Sequence, residues 1–265
     1  HRDDPPFRLV VDNGQESVVL ADRVIDASGT FGQPNPLGTG GAPAPGENDV
    51  EDKIERRFLS EEQVRDWSDR RILLVGAGYS ASTNLLRLME LKESDRSTEI
   101  HWLGRSEDGE PIQRVDNDPL KKRDELGQRV NELARNGSVN LIRGTEIHRF
   151  ANQGDAVEVE FTDGSTREVD RILSNVGYRP DRSLYRELQF HECYGTEGPI
   201  DLSASLLGQE GADCLDVDPG GAETLKNPEP NFFVLGAKSY GRISNFLRET
   251  GFQQVSDLFE DLGGS

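Results

Sequence analysis

Apolar positions along this chain recur at two spacings, and the switch between them marks out its elements. Residues 7–11 (FRLVV) and 16–20 (ESVVL) predict two strands joined by a hairpin turn at Asp12-Asn13-Gly14. Residues 22–30 (DRVIDASGT) predict a buried strand entering a glycine turn. Residues 31–49 are rich in Gly and Pro without a period, so a loop is expected. Residues 50–66 are charged, with Ile54, Phe58, Leu59 and Val64 spaced for a short helix or two.

A denser pattern follows. Residues 71–75 (RILLV) predict a buried strand, Gly76-Ala77-Gly78 a tight turn, and 80–92 a helix carrying Leu85, Leu86, Leu88, Met89 and Leu91. Residues 99–103 (EIHWL) predict a second strand ending at Gly104-Arg105, 121–135 a helix and 139–143 a strand. Residues 156–162 alternate up to a turn at Asp163-Gly164, and 167–177 predict a strand ending in glycine. After a mixed stretch, 231–236 (NFFVLG) predict a buried strand and 252–262 the last helix.

Part of this pattern occurs twice. Ala21-Asp22-Arg23-Val24-Ile25 matches Val169-Asp170-Arg171-Ile172-Leu173, and Gly29 matches Gly177, all at an offset of 148. Each copy is strand, Asp-Gly type turn, strand, then a strand ending at glycine. Two such copies point to two nucleotide-binding units built alike.

Gly76-x-Gly78-x-x-Ala81 lies between an apolar strand and a helix, the context in which such a turn carries meaning. The first glycine permits the turn, the second lets backbone approach a pyrophosphate, and a small third residue allows close helix–strand packing. The pyrophosphate would rest on amides at the helix N-terminus, with the Ser80 hydroxyl as an added donor. An acidic residue ending the second strand would favour NAD. This chain has Arg105 and Ser106 there instead. A guanidinium suits a 2′-phosphate, which points to NADPH. The alternative is a solvated Arg105 satisfied by Glu107 and Asp108.

At this point the chain resembles the FAD- and NAD(P)H-dependent flavoproteins related to flavin-containing and Baeyer–Villiger monooxygenases and to thioredoxin-reductase-like enzymes. Four segments carry the resemblance in order: Val24-Ile25-Asp26-Ala27-Ser28-Gly29-Thr30, Gly76-Ala77-Gly78-Tyr79-Ser80-Ala81, Val176-Gly177-Tyr178-Arg179-Pro180-Asp181, and Phe232-Phe233-Val234-Leu235-Gly236. The resemblance implies an α/β fold, with a Rossmann-like, three-layer NAD(P)H-binding domain inserted in a partial FAD-binding domain. Residues 1–45 would end the first FAD segment, 46–70 form a linker or short helix, 71–177 the NAD(P)H domain, and 178–265 the returning FAD segment. It also implies flavin contacts near Gly29, Gly177, Tyr178, Gly236, Lys238 and Ser239. Lys238 would place a cation near flavin or phosphate, or else lie on the surface. Two features depart from the family pattern: no Gly-x-Gly-x-x-Gly precedes Gly29, and Gly236 is followed by Ala237 rather than Asp.

Composition narrows the partners. Acidic residues number 49 against 30 basic, a net charge of −19, which disfavours nucleic acid. Lysine occurs only at positions 53, 92, 121, 122, 226 and 238. Halophilic origin is one reading of that Lys-poor acidity, because salt screens self-repulsion. Cys193 and Cys214 form no CxxC pair, which predicts structural thiols and a cytoplasmic setting. No 18-residue apolar run predicts a membrane span. His101, His148 and His191 lack ligand spacing, and Asp213, Asp216 and Asp218 lack the calcium-loop pattern, so no metal is expected. The first residues read as the middle of a domain, so a fragment is expected.

The expectation is therefore a flavin-dependent oxidoreductase in which NADPH reduces FAD and electrons pass to O₂ or another small acceptor, as a monooxygenase or a reductase. It would be an enzyme if the full protein supplies the missing FAD segment. The alternative is a catalytically incomplete NAD(P)-binding protein. The acceptor and the oligomeric state stay open.

Overall fold

The computed structural model describes residues 6–114, 120–208, 220–243 and 246–263. Cys214, Asp213, Asp216 and Asp218 lie outside the described residues. The chain divides into two compact units, one made of His1–Pro34 with Tyr178–Ser265 and one of Asn35–Gly177.

The first unit opens with β1 (Phe7–Asp12) and β2 (Glu16–Ala21), an antiparallel hairpin. Its turn follows from sequence: Gly14 sits at φ 98°, and its amide donates to Asp12 Oδ1 at 2.9 Å. Val10, Val18, Val19 and Leu20 are all exposed on this hairpin. Next comes β3 (Val24–Asp26). Of that segment, expected as a buried strand, only Asp26 is buried, and Ile25 is exposed.

The second unit begins with β4 (Ile54–Glu55) and α1 (Glu61–Arg65). The helix expected over 50–66 is not continuous. A 3-10 turn spans Asn48–Lys53, Ile54 then pairs with Ile172 as a parallel edge strand, and α1 starts afresh. Ser60 and Gln63 form its capping box, Gln63 N–H donating to Ser60 Oγ and Ser60 N–H to Gln63 Oε1.

From there β5 (Arg71–Val75), α2 (Tyr79–Ser94), β6 (Glu99–Leu103), α3 (Lys121–Arg135) and β7 (Asn140–Ile142) alternate. β8 (Ile147–Gln153), β9 (Ala156–Phe161) and β10 (Thr166–Val169) then form an antiparallel three-stranded sheet. β11 (Arg171–Ser174) leaves that sheet and inserts between β4 and β5. The result is a five-stranded parallel sheet in the order β4-β11-β5-β6-β7. The run expected as one strand over 167–177 is thus two strands of different sheets, broken at Asp170.

Helices need apolar faces to hold such a sheet. On α2, Ala81, Leu85, Leu88 and Leu91 fall at helical spacing and are buried against Ile72, Leu74, Ile100 and Trp102. Each buried leucine contributes about 1.5–3 kcal/mol. On the other face, Leu73, Val75 and Leu103 pack with Phe150, Val157, Val159 and Phe161 of the antiparallel sheet. Helix layer, parallel sheet and antiparallel sheet make the expected Rossmann-like, three-layer α/β arrangement.

The chain returns to the first unit with α4 (Ile200–Leu207), β12 (Phe232–Val234) and α5 (Arg248–Gly263). β12 pairs in parallel with β3. The duplication holds in three dimensions: an antiparallel hairpin leads into a short parallel strand and a glycine of positive φ, 74° at Gly29 and 88° at Gly177. The copies differ in their neighbours, since β11 pairs on both edges whereas β3 pairs with β12 alone among the described residues. Among the described residues no helix is long and apolar enough to cross a membrane.

Candidate functional site

The turn after β5 is held from three sides. Gly76 N–H donates to the Leu103 carbonyl at 3.0 Å, and the buried Trp102 indole N–H donates to the Gly76 carbonyl at 2.7 Å. Gly76 takes φ 122°, and a Cβ there would stand 2.3 Å from the Asn175 carbonyl oxygen. Only glycine meets both demands. Asn84, fully buried on α2, donates to Asn175 Oδ1 at 2.8 Å and so ties the helix to the end of β11.

Gly78 is the N-cap of α2, and a Cβ there would meet nothing within 4 Å. No side chain caps the helix, and no acidic residue occupies its first turn. Gly78, Tyr79 and Ser80 are exposed while Ala81 is buried. The amides opening α2 therefore face open space with a partial positive charge, the requirement for an anion. A pocket of about 290 Å³ adjoins them, lined in part by Ala77, Gly78, Tyr79, Ser106, Glu110 and Gln113.

Arg105 follows β6, exposed, and makes no ion pair with Glu107 or Asp108 among the described residues. Ser106 lines the pocket and donates to the Asp108 carbonyl at 2.6 Å. Sequence reasoning missed Trp102, Asn84, Asn175 and Glu110, because each is set by tertiary contact.

The remaining candidates lie in the first unit. Lys238 is buried, its Nζ donating to Asp26 Oδ2 at 2.6 Å and to Ser28 Oγ at 3.1 Å, with the Tyr185 ring centroid 5.1 Å away. This excludes the expected surface role. Asp26 Oδ1 in turn accepts from the Ser28 amide and hydroxyl, so the pair locks the residues leading to Gly29. Ser239 is fully buried; its hydroxyl donates to the Gly236 carbonyl and accepts from Gln254, which also accepts the Gly236 amide proton. Gly29 and Gly236 have open space where a Cβ would stand. Tyr178 packs edge-on against Phe31 at 5.0 Å.

Cys193 is a free thiol held below its usual range by hydrogen bonds from the Thr196 side chain and backbone. His101 sits in β6, and burial keeps it below the ordinary histidine value. Among the described residues no group of His, Cys, Asp or Glu could hold a metal.

The residues present fit a pyridine nucleotide: an uncapped helix end, room beside Gly78 and an adjoining pocket. For FAD the fit is partial. Gly29 and Gly236 leave room, but Lys238 and Ser239 spend their polar atoms inside the protein.

Comparison with known proteins agrees with this geometry. The family model described as pyridine nucleotide-disulphide oxidoreductase matches residues 4–198. The chain is 23% identical over 209 residues to the nitric oxide reductase FlRd-NAD(+) reductase of Pectobacterium atrosepticum, covering 77% of this chain and 45% of that protein. It thus spans less than half the length of that curated relative. Among solved structures, bacillithiol disulfide reductase Bdr of Bacillus cereus superposes with a TM-score of 0.69 at 17% identity, over 99% of this chain and 68% of the other. The HOCl-induced flavoprotein disulfide reductase RclA of Escherichia coli, as a Cu(II) complex, gives 0.61 at 12% identity, over 99% and 48%.

Proposed function

This chain belongs to the pyridine nucleotide-disulphide oxidoreductase family, and from that premise we propose that it binds NADPH on the Gly76–Ala81 turn as part of a flavin-dependent reductase. The observation that carries this reading is the open N-terminus of α2 beside Gly78, with its pocket. The amides of Tyr79 and Ser80 hold the pyrophosphate, and Trp102 and Asn84 fix the turn that presents them. Arg105, which pairs with no carboxylate among the described residues, takes the 2′-phosphate. When bound, NADPH supplies a hydride that FAD accepts and passes on as electrons to a small acceptor. Gly29 and Gly236 are the points where the first unit's backbone admits FAD. The relatives described above are all named as reductases, which favours a reductase over a monooxygenase.

The test is the visible spectrum of the purified chain, followed under anaerobic addition of NADPH and then NADH. A flavin band that bleaches faster with NADPH supports the proposal. A colourless protein that still binds NADPH leaves nucleotide binding without catalysis.

A further inference from the structure

The segment after Asp181 turns tightly as it meets the aromatic core of the first unit. Asp181 Oδ1 accepts from the Ser183 amide at 2.9 Å, a 3-10 turn spans Ser183–Tyr185, and the Leu188 amide donates back to the Tyr185 carbonyl at 3.0 Å. Tyr185 is thereby buried, its ring 4.9 Å from Phe190 and 5.3 Å from Phe232, while Arg182 and Arg186 stay exposed. A cavity of about 520 Å³ is lined in part by Arg182, Tyr185, Arg186, Leu188, Phe190 and Glu192. Sites for small molecules span roughly 300–1,000 Å³.

Two polar groups of this cavity lack a partner. Arg186 makes no ion pair or hydrogen bond among the described residues. Tyr185 is 4% exposed, yet its hydroxyl makes no hydrogen bond among them either. A hydroxyl taken from water without a new partner is destabilising, so the cavity is where this one is satisfied. Burial holds the phenol above its usual range, which keeps it protonated and able to donate. Charge narrows the ligand further. Arg182 pairs with Glu192, whose side chain is 16% exposed, so those two charges cancel. Arg186 is left as one unopposed positive charge in a chain of net charge −19. Leu188 and Phe190, both half-buried, supply apolar wall.

We propose that this cavity binds a small monocarboxylate with an apolar body, an aryl- or alkylcarboxylic acid in its anionic form. The Arg186 guanidinium and the Tyr185 hydroxyl donate to the carboxylate, and the hydrocarbon lies against Leu188 and Phe190. Inorganic phosphate matches poorly, because it brings no apolar surface to that wall. The cavity is built from residues of the first unit, so the inference does not depend on the Gly76–Ala81 turn.

The test is calorimetric titration of the 265-residue chain with benzoate, 3-phenylpropionate and octanoate, with 3-phenylpropionamide as the uncharged counterpart. Wild type, Arg186→Gln and Tyr185→Phe are compared, with thermal midpoints recorded alongside. At least one of the acids is expected to bind with a Kd of about 1 mM or tighter. The amide should bind about tenfold to a hundredfold more weakly than 3-phenylpropionate, the span of one charge-assisted hydrogen bond. Arg186→Gln should weaken the acid by a similar factor and leave the amide within about twofold, a split that a folding defect would not produce. Tyr185→Phe keeps the ring and should weaken the acid by about threefold to tenfold. Failure of all three acids to bind overturns the inference. So does equal affinity for acid and amide, equal weakening of both by Arg186→Gln, or a Tyr185→Phe protein that binds the acid as wild type does.

Discussion

Lys238 Nζ lies 2.6 Å from Asp26 Oδ2, with side-chain exposures of 0% and 5%, so one buried ion pair joins the end of β3 to the turn after β12. Removing one partner of such a pair strands a charge in the interior and costs about 3–5 kcal/mol, whereas replacing both partners is far milder. Lys238→Met is therefore expected to lower unfolding free energy by about that amount. Adding Asp26→Asn should recover much of the loss. Urea denaturation of the wild type, both single variants and the double variant checks it; single variants within about 1 kcal/mol of wild type contradict it.

Arg71 and Asp170 tie the start of β5 to the junction of β10 and β11. Asp170 Oδ2 accepts from the Arg71 amide at 2.7 Å, and Oδ1 accepts from Nη2 at 2.7 Å. Burial pushes the Asp170 carboxyl up, but the Arg71 hydrogen bonds outweigh it, and the group sits below its usual range. A carboxylate depressed in the folded state adds stability above its unfolded value, about 3.9, and loses it as pH falls through the folded value. Asp170→Asn should therefore flatten the acid limb of stability against pH below about 4. Parallel limbs for wild type and variant would contradict it.

His101 acts at higher pH. Burial lowers its folded value, so below about 6.5 the unfolded chain takes up a proton that the folded chain refuses. Stability is expected to fall as pH drops from there toward the folded value, and His101→Gln should remove that slope. Denaturant midpoints between pH 7 and 5 measure it.

At net charge −19 the chain repels itself. The screening length falls from about 10 Å at 0.1 M salt to about 3 Å at 1 M. Thermal midpoints should rise by several degrees between those concentrations of KCl, and we propose a high-salt setting for this protein. A flat or falling midpoint argues against it.

The second unit was the more legible part. β5, β6 and α3 fall where their periods predict, because each obeys one spacing from cap to cap. Three elements resisted for physical reasons. β8 carries a bulge between Ile147 and Arg149, so its inward residues Ile147 and Phe150 are three apart and the alternation is lost. β10 and β11 read as one run, since no glycine or proline marks the break at Asp170; the partner that bends the chain there is Arg71, 99 residues away. α4 starts at Ile200 behind Pro199 at the N-cap, with no side-chain cap, so it looked like irregular chain. At the site, the glycines were legible as backbone requirements. The commitment of Lys238 to Asp26 was not, because 212 residues separate the two.

Gly76 and Gly78 separate structure from function at the site. A Cβ at Gly76 would strike the Asn175 carbonyl at φ 122°, so Gly76→Ala should destabilise the fold whatever it binds. Gly78 has φ −92° and empty space around a built Cβ, so Gly78→Ala should cost no more than about 1 kcal/mol.

The most direct measurement is calorimetric titration of NADPH into wild-type protein and Gly78→Ala, with thermal midpoints recorded alongside. Wild-type binding that weakens at least about tenfold in the variant, at a nearly unchanged midpoint, is the expected result, because the added methyl group would occupy the pyrophosphate's path. Equal affinity in the two proteins, or no binding to wild type, would contradict the assignment of the Gly76–Ala81 turn as the nucleotide site.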